Sequence, residues 1–517
     1  MTKTLHHLNE LLRRSVHEVP DRTAVVFKDR SWSYRELGRR VDRCAENLSL
    51  LGVKSGDAMG LVMRNCPEFI VAFFALCRLG ARAVPVNFLE KPDRIAYIFS
   101  DAGVTGCFTS TEFLEPVRSA VRTVPSFRHL FVRDSEDPGL SLSRLWEDPV
   151  PPALSVDGVH PDDIAMLLYT AGTTGLPKGV MLTHKNFCAN VASCCAAVHL
   201  TRRDTFLCLL PMFHSFCWTV CVLIPLSLGS TIVVMETITP FEPVLKAVWR
   251  HKVTIIVAIP TLFATLAQRV RGWRAFLMRF LNPVRLAISG AAALSIQVSE
   301  KFEDMFGILL LEGYGLTEAS PVVSLNPLRG KRKLGTVGVA LPGVRIQIVD
   351  ERETVLGPGA VGEICVSGDN VMKGYYNHPE ETRASFTRDG WLKTGDLGRL
   401  DGEGYLTIVD RKKDLIIEKG LNIYPQEIEQ TLLSHPSVQE VAVVGIKNIM
   451  GDEVVAAFIV GKEGAPEDRP EIHRFCREKL APYKRPRHIE FVKELPKNAL
   501  GKVMKKELQK VNILHVR

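Results

Sequence analysis

The sequence predicts an α/β protein. We expect a large N-terminal domain of doubly wound sheets with a β-rich lobe, and a small C-terminal α+β domain. Three observations support this prediction. The 517-residue chain is too long for one hydrophobic core. Amphipathic helical patterns alternate with short apolar runs between about residues 34 and 104, which is typical of βαβ units. Short strands and Gly-rich turns replace this pattern after about residue 331.

The βαβ pattern returns before the β-rich lobe and predicts a mostly parallel sheet. Its strand-like runs are TIVVME (231–236), VTIIVAI (253–259), VRLAISG (284–290) and ILLLEGYG (308–315). We place the domain boundary after Asp410, giving domains 1–410 and 411–517, with a hinge near Lys412 and Lys413. The last segment is just long enough for an independent small domain.

Composition predicts an ordinary folded enzyme, with 46% hydrophobic and 24% charged residues. A formal net charge of +8 suits polyanionic small ligands as well as nucleic acid, and we do not expect a nucleic-acid partner. Twelve cysteines without a Cys-x-x-Cys pair predict reduced thiols in a cytoplasmic protein. The start lacks the apolar region of a signal peptide. Pro211, Pro225 and Gly229 interrupt the apolar stretch 204–236, which therefore predicts buried strands and turns.

A Gly-rich loop is the strongest local signal. In MLLYTAGTTGLPKGVMLTH (166–184) an apolar strand enters a loop with three glycines, several hydroxyls and Lys178. Glycine lets backbone N–H groups approach phosphate oxygens closely, and the lysine adds a positive charge. The loop lacks the Gly-Lys-Ser/Thr end of a Walker motif. A phosphate site is the functional interpretation, and a plain surface turn is the alternative.

A second segment, EGYGLTEAS (312–320), places an aromatic ring, a hydroxyl and a carboxylate on one strand-to-loop turn. A ring can stack on a base, and oxygen ligands hold a hard cation such as Mg²⁺. The alternative is a Gly-rich connection with a solvated glutamate. In a third segment Asp396 lies in a tight turn, where a carboxylate can accept both hydroxyls of a ribose or serve only as an Asx-turn residue.

Two charged segments follow. Arg411 and Lys413 lie at the proposed boundary, where charges are usually just solvated. Lys502 follows a glycine near the C-terminus, where most lysines only solubilise the surface. An ammonium group at this point could also stabilise negative charge that develops on oxygen atoms during a reaction.

Taken in this order, the five segments resemble the adenylate-forming superfamily of acyl-CoA synthetases, luciferases and peptide-synthetase adenylation domains. The resemblance covers about residues 20 to 510. It implies that a carboxylic acid and MgATP form an acyl-adenylate, which then passes its acyl group to a thiol, that of coenzyme A. ATP, Mg²⁺ and coenzyme A are the implied cofactor and co-substrates. It also implies that the small domain rotates about Lys413 between the two half-reactions.

The resemblance assigns roles residue by residue. Phosphate and adenine contacts fall on Thr170, Gly172, Thr173, Thr174, Gly175, Lys178, Gly290, Ala291, Glu312, Gly313, Tyr314, Gly315 and Thr317. Ribose contacts fall on Asp396 and Arg411, metal binding on Glu318 and Thr170, and the thiol channel on Lys419, Gly420 and Leu421. Catalytic roles fall on Lys502, His214 and Thr174. Three positions depart from the family, which usually has serine at Ala171, glycine at Cys217 and lysine at Ile417.

The acid pocket is predicted from LLPMFHSFCWTV (209–220). By resemblance His214 lies at the pocket mouth, while Phe213, Phe216 and Trp218 supply an apolar wall. A core histidine among aromatics is the alternative. An apolar lining without an obvious second cation favours a medium- or long-chain fatty acid or an aryl acid. The Arg- and aromatic-rich segment 268–285 predicts either a solvated helix or lid, or a peripheral membrane contact.

Rival functions stay open at this point. The acyl group could pass to the phosphopantetheine of a carrier protein, although no insertion near residues 362–376 marks a stand-alone acyl-AMP ligase. A luciferase-like oxygenase is compatible with the fold. A non-catalytic fatty-acid or nucleotide-binding relative is disfavoured by the joint presence of Glu318, Asp396, Arg411 and Lys502. The sequence does not predict the oligomeric state.

Overall fold

The structure is a computed structural model that describes residues 7–147, 158–171, 176–238, 242–269, 282–418, 421–447, 453–497 and 503–510. The chain forms two compact units. The first contains residues 1–345 and 366–392, and the second contains residues 346–365 and 393–517. The class predicted from the sequence, mixed α/β with a large N-terminal and a smaller C-terminal domain, is confirmed. The functional division after Asp410 stays a prediction.

The strands are numbered in chain order. They are β1 Thr23–Phe27, β2 Arg30–Ser33, β3 Ala58–Val62, β4 Arg82–Pro85, β5 Val104–Thr109, β6 His129–Val132, β7 Ile164–Ala171, β8 Pro177–Thr183, β9 Thr205–Cys208, β10 Thr231–Val234, β11 Ile255–Ala258, β12 Leu286–Ser289 and β13 Leu309–Gly315. They continue with β14 Val322–Leu325, β15 Val339–Ala340, β16 Arg345–Val349, β17 Gly362–Ser367, β18 Gly374–Tyr375, β19 Leu392–Leu400, β20 Leu406–Arg411, β21 Ile416–Glu418, β22 Leu421–Ile423, β23 Val438–Lys447, β24 Glu453–Gly461 and β25 His488–Phe491.

The helices connect these strands. In the first unit they are α1 Leu8–Glu18, α2 Tyr34–Leu50, α3 Pro67–Leu79, α4 Pro92–Ala102, α5 Leu114–Val121, α6 Arg144–Glu147, α7 His184–Ala197, α8 Ser215–Cys217, α9 Ile224–Leu228, α10 Glu242–Arg250, α11 Pro260–Arg269, α12 Ile296–Phe306 and α13 Pro379–Ala384. In the second unit they are α14 Pro425–Leu433, α15 Arg469–Lys479 and α16 Lys505–Leu508.

Over its described residues, the first unit contains sheets of nine and seven strands. The larger has the order β15-β14-β13-β12-β11-β9-β10-β1-β2 and is parallel from β13 to β1. The smaller has the order β18-β8-β7-β4-β3-β5-β6 and is parallel from β7 to β6. Parallel strands need crossover connections, and the helical patterns between them in the sequence supply these. The predicted parallel sheet is confirmed.

Helix α3 shows how the sequence sets up the core. Pro67 begins the helix at a position where its missing N–H is not needed, and Gly80 ends it in the left-handed conformation. Every residue from Pro67 to Cys77 is buried, including Phe69, Phe73 and Phe74. A helix that is apolar on all faces belongs inside a large protein, and α3 is such a helix.

The apolar stretch 204–236 was predicted to form buried strands and turns, and the structure has strands only at its two ends, because residues 215–228 between them are helical. It contains β9, α8, a π-helical turn at Trp218–Leu223, α9 and β10. Pro225 lies in the first turn of α9, and Gly229 ends that helix in the left-handed conformation. Within the described ranges, no helix is both long and apolar enough to cross a membrane.

The second unit is built from smaller sheets. Strands β16, β17, β19 and β20 form a four-stranded sheet in that order, and a methyl group on Gly398 of β19 would lie 2.7 Å from Ile364 Cδ1 of β17. Strands β21 and β22 form a hairpin, and β23, β24 and β25 form a three-stranded sheet. Helices α14 and α15 supply Ile428, Leu432 and Ile472 to the core beside that sheet. This arrangement matches the α+β pattern predicted for the C-terminal region.

Candidate active site

The predicted phosphate loop joins two antiparallel strands of the seven-stranded sheet. Strand β7 pairs with β8 so that Thr170 lies directly opposite Lys178. Residues 172–175 at the tip of this hairpin, among them Gly172, Thr173, Thr174 and Gly175, lie outside the described residues. Lys178 is only 9% exposed, although lysine is rarely buried without a partner. The hairpin therefore fixes a buried ammonium group at the base of the loop.

Two side chains from residues 375–381 surround this ammonium group. Glu381 Oε1 lies 3.6 Å from Lys178 Nζ, and the centre of the Tyr375 ring lies 5.6 Å from it. Strand β18 holds Tyr375 in place, because it pairs with β8 and places Tyr375 opposite Val180. The ammonium group thus has a carboxylate and an aromatic face as neighbours.

The second predicted segment follows β13. Thr317, Glu318 and Ala319 form one 3₁₀ turn. The hydroxyl of Tyr375 donates to Glu318 Oε1 at 3.0 Å, and burial together with this carboxylate raises the pKa of Tyr375. A Cβ on Gly315 would lie 2.2 Å from the carbonyl oxygen of Pro321, so this position accepts only glycine. The structure therefore brings Lys178 to the ring and Glu318 to the hydroxyl group of the same tyrosine.

The carboxyl ends of three parallel strands lie side by side. Ala258 of β11 is opposite Ser289 of β12, which is opposite Glu312 of β13. In open α/β sheets, ligands bind at the carboxyl ends of the strands. Gly290 follows directly, and a methyl group added to it would lie 2.7 Å from Phe216 Cζ. Because Gly290 has no side chain, the Phe216 ring can lie against it at this edge of the sheet.

The neighbours of these strand ends are arranged unusually. Ala291 has a φ of 68°, a left-handed conformation that is uncommon for alanine. The backbone N–H of Leu294 donates to Glu312 Oε1 at 2.9 Å, and burial raises the pKa of Glu312 to about 7. Gly313 admits no side chain easily, because a Cβ there would lie 3.0 Å from Ser324 O. Tyr314 is partly exposed on the same strand.

The predicted acid-pocket segment touches the glutamate turn directly. Ser215 Oγ lies 3.4 Å from Thr317 Oγ1, and Thr219 Oγ1 donates to Ser320 O at 2.7 Å. The ring of His214 caps α8, because the N–H of Phe216 donates to its Nδ1 at 3.3 Å. His214 is therefore the N-cap of its own helix and is only partly buried.

The aromatic residues of this segment lie in two different environments. Phe213 meets the edge of Phe88 with ring centres 5.6 Å apart. Trp218 is fully buried, with its ring centre 4.3 Å from that of Phe73 and 5.6 Å from that of Phe69. Trp218 thus packs against α3 in the core, and its role as a pocket wall stays a prediction.

In the second unit, Asp396 and Arg411 form a cross-strand pair. They lie opposite each other on β19 and β20, with Arg411 Nε 3.3 Å from Asp396 Oδ1. The Asp396 side chain is 10% exposed and that of Arg411 is 42% exposed. The pair presents both a carboxylate and hydrogen-bond donors to one point, which suits a diol such as ribose.

The other predicted residues of the second unit that fall within the described ranges lie at exposed positions. Lys413 is exposed in the 3₁₀ turn Lys412–Asp414, and Leu421 is 47% exposed at the start of β22. Ile417, which stands where the family often has lysine, is 55% exposed, and its N–H donates to Glu453 Oε2 at 3.0 Å. Lys419, Gly420 and Lys502 lie outside the described residues.

The oxygen ligands of the first unit fit a magnesium ion that accompanies ATP. Mg²⁺ is usually held by one or two protein oxygens together with the phosphates of its nucleotide. The carboxylate of Glu318 and the hydroxyl of Thr170 are hard oxygen donors of this kind. Across the described ranges, no group of three or more His, Cys, Asp or Glu residues is arranged to hold a metal ion.

Sequence reasoning missed four residues of this arrangement. Tyr375, Glu381, Ser215 and Phe88 were not predicted, although each contacts a predicted residue. Tyr375 lies in KGYYNHPEE (373–381), where a glycine followed by two tyrosines was a visible signal. Its partner Glu318 is 57 residues away in the chain, so the contact itself could not be read from the sequence.

Family models match both parts of the chain. Residues 12–376 match the model of the AMP-binding enzyme, and residues 427–502 match that of the AMP-binding enzyme C-terminal domain. The first match alone spans more than half of the chain, and it includes the site residues of the first unit other than Glu381.

Individual proteins are similar over nearly their full length. The long-chain-fatty-acid–CoA ligase of Bacillus subtilis (strain 168) is 35% identical, over 97% of this chain and 94% of the relative. The 4-coumarate–CoA ligase 3 of Oryza sativa subsp. japonica is 35% identical, over 93% of this chain and 87% of the relative. The crystal structure of ATP-bound MatB from Rhodopseudomonas palustris is similar with a TM-score of 0.89 and 30% identity, covering 98% of this chain and all of the other.

Proposed function

The chain belongs to the AMP-binding enzyme family and is an AMP-forming acid–thiol ligase, and we propose that its acid is a medium- or long-chain fatty acid and its thiol acceptor coenzyme A. In the first half-reaction the acid carboxylate attacks the α-phosphorus of MgATP, forming acyl-AMP and releasing pyrophosphate. In the second, the thiol loses its proton and attacks the acyl carbon, and AMP leaves.

The arrangement around Tyr375 carries the proposal for the nucleotide. The tyrosine has a buried ammonium group, Lys178, near its ring and a carboxylate, Glu318, at its hydroxyl group. A triphosphate with its magnesium needs this combination, a cation for the phosphate oxygens and a hard oxygen for the metal. We assign the β- and γ-phosphates to Lys178 and Thr170, the α-phosphate to Thr317, and the metal to Glu318 with Thr170.

Asp396 and Arg411 are assigned to the ribose, and Tyr314 with Gly290 and Ala291 to the adenine. Lys502 is assigned to the first half-reaction, where its ammonium group would stabilise charge on the reacting oxygens. The rotation at Lys413 and the thiol channel at Lys419, Gly420 and Leu421 belong to the same proposal.

The apolar surroundings of His214 support a fatty acid. Phe213 packs on Phe88, and Phe216 lies against Gly290 beside the strand ends. Arg64, whose guanidinium carbon lies 5.0 Å from the centre of the Phe88 ring, makes a bidentate ion pair with Glu112, with Nε 2.8 Å from Oε2. The fatty-acid ligase of Bacillus subtilis, which is 35% identical, supports the same class.

An aryl acid is the second candidate. The 4-coumarate–CoA ligase of rice is also 35% identical to this chain, and Phe216, which lies against Gly290, could pack on an aromatic ring of the substrate. A carrier-protein phosphopantetheine is the alternative acceptor.

A substrate panel tests the proposal. Pyrophosphate release from MgATP is measured with C8 to C18 fatty acids, with aryl acids and with amino acids, each with and without coenzyme A. We expect AMP and acyl-CoA with the fatty acids. Greater turnover with aryl acids would show that the substrate is an aryl acid rather than a fatty acid. Acyl-AMP that forms but is never transferred to coenzyme A would show that the thiol acceptor is another molecule. No reaction with any acid would contradict the whole assignment.

A variant separates the two half-reactions. Lys502→Ala should abolish adenylate formation and still convert supplied acyl-AMP to acyl-CoA, because its ammonium group is assigned to the first half only. Lys506→Ala, at an exposed lysine nearby, is the matched control. Unchanged pyrophosphate release in Lys502→Ala would remove Lys502 from the mechanism.

A further inference from the structure

We propose that Tyr375 is a positioning residue that holds the Glu318 carboxylate in the orientation required by the magnesium of MgATP. This inference rests on the proposed function. The direct observation is the hydrogen bond from the Tyr375 hydroxyl to Glu318 Oε1 at 3.0 Å. A carboxylate on a short turn has rotatable side-chain bonds, and a donor on one of its oxygens restricts them. Because both oxygens belong to one planar group, fixing Oε1 also fixes the direction of the second carboxylate oxygen.

The same short segment also holds the backbone of the glutamate turn. The N–H of Met372 donates to Glu318 O at 2.8 Å, and Asn370 Nδ2 donates to Ala319 O at 2.9 Å. Residues 370–375 therefore make three hydrogen bonds to two consecutive residues of the turn, one of them through Tyr375. Main chain and side chain of Glu318 are fixed by a single structural element.

That element is itself anchored to the rigid part of the unit. The side-chain amide of Asn186 on α7 donates to the carbonyl groups of Asp369 and Val371, both at 2.8 Å. The N–H of Tyr375 donates to Thr382 Oγ1 at 2.9 Å, and β18 pairs with β8. Backbone pairing thus ties Tyr375 to the strand that carries Lys178, and its hydroxyl group contacts the turn that carries Glu318.

The tyrosine ring adds a second link. Lys178 Nζ lies 5.6 Å from the centre of the Tyr375 ring. The aromatic face attracts the ammonium group while the hydroxyl binds the carboxylate. One side chain therefore fixes the spacing between the group assigned to the phosphates and the group assigned to their metal. Removal of the hydroxyl alone should disturb the metal and leave the lysine in place.

Magnesium-dependent nucleotide binding tests this inference. The probe is an ATP analogue with a methylene bridge between the β- and γ-phosphates, titrated calorimetrically with MgCl₂ or with EDTA. In the wild-type protein we expect tighter binding with magnesium. In Tyr375→Phe we expect this magnesium-dependent gain to fall by about tenfold, as for loss of one hydrogen bond to a charged group, while binding in EDTA changes less than about twofold.

The adjacent tyrosine provides a matched control. The Tyr376 ring packs on Arg82, 5.1 Å from its guanidinium carbon, and Tyr376→Phe should keep the wild-type gain. A double-mutant cycle with Glu318→Gln should show that Tyr375→Phe has little further effect once the carboxylate is gone, because the two residues act on magnesium as a unit. Additive effects would indicate a structural role for Tyr375 only.

The outcomes distinguish the inference from the proposed function. A wild-type gain that persists in Tyr375→Phe overturns the positioning role and leaves the function intact. A wild-type protein that binds the analogue neither with nor without magnesium overturns both.

Discussion

Each of the two units contains one ion pair among its own candidate site residues. The cation is the more buried partner in the first unit, and the carboxylate is the more buried partner in the second. In the first unit the cation Lys178 is buried, and its partner Glu381 has a side chain that is 39% exposed. In the second unit the carboxylate Asp396 is 10% exposed, and its partner Arg411 is 42% exposed. A buried charge requires compensation more strongly than an exposed one. The first pair is therefore suited to exchange Glu381 for phosphate oxygens, and the second to retain the acceptor for ribose hydroxyls.

Removal of the buried cation tests the first half of this comparison and should have the largest effect. Lys178→Ala should lower kcat/KM for ATP by about 10²- to 10³-fold, because a buried charge-assisted contact to phosphate is lost. Steady-state pyrophosphate release measures this. Lys185→Ala is the control. Lys185 lies on the following helix, α7, and makes an exposed ion pair with Asp369 at 3.0 Å. Equal losses in both variants would mean that burial is not what distinguishes Lys178.

Glu312 differs from both ion pairs, because its carboxyl group is largely buried and accepts only a backbone hydrogen bond, from the N–H of Leu294, among the contacts described above. Its pKa of about 7 lies above that of an unfolded glutamate, so the folded state keeps the proton longer. The wild-type protein should therefore lose stability as the pH rises from about 4.5 to about 7, with the full cost above that range. Glu312→Gln should remove about 2–4 kcal/mol of this pH-dependent cost.

Thermal midpoints of the ligand-free protein between pH 5 and 8.5 measure this effect. Wild type and Glu312→Gln should be most alike near pH 5, separate between pH 5 and 7, and keep a constant difference above pH 7, with the variant more stable. Glu300→Gln, at an exposed position on α12, should follow the wild type at every pH. Parallel curves for wild type and Glu312→Gln would show that Glu312 has an ordinary pKa.

The buried acceptor of the second unit should matter somewhat less than Lys178. Asp396→Ala should weaken AMP binding by about 10- to 100-fold, since up to two hydrogen bonds to the ribose hydroxyls are lost. Equilibrium titration with AMP and with 2′,3′-dideoxy-AMP measures this. The variant should discriminate poorly between the two nucleotides. If Asp396→Ala still prefers the ribonucleotide as strongly as wild type does, Asp396 does not bind the ribose; Asp389→Ala, at an exposed aspartate upstream, serves as control.

The exposed carboxylate of the first pair should give the smallest effect. Glu381→Gln should lower the KM for ATP by about two- to fivefold, because phosphate no longer competes with a carboxylate for Lys178. Glu380→Gln changes the neighbouring, exposed glutamate and should leave KM unchanged. A higher KM in Glu381→Gln would show that Glu381 positions Lys178 rather than competing for it.

The sequence predicted elements whose signals are local. The apolar runs at 231–236 and 253–259 and the VRLAISG and ILLLEGYG segments all contain strands of the nine-stranded sheet. Over 204–236, Gly229 does end a helix, whereas Pro225 lies within a helical run where strands and turns were predicted. In each case the periodicity, or a residue with special backbone geometry, lies within the element itself.

Contacts between distant segments could not be predicted in this way. Tyr375 meets Glu318 because β18 adds to β8 at the edge of the sheet, a pairing between residues almost 200 positions apart. Trp218 reads as a pocket aromatic from its neighbours, yet its ring packs on Phe73 of α3. The π-helical turn at Trp218–Leu223 sets the direction of that ring, and no residue type in the sequence announces such a turn.

The path of the chain also limits how such an enzyme can be recombined with a relative. Strands β16 and β17 precede the last segment of the first unit, and β19 and β20 follow it, yet all four form one sheet. A gene fusion with a single crossover near residue 392 would assemble this sheet from two parents. Any parent that carries a side chain at the position of Gly398 would then press against Ile364 of the other. Exchange of the C-terminal unit between relatives therefore calls for two inherited blocks, 346–365 and the residues from 393 onward.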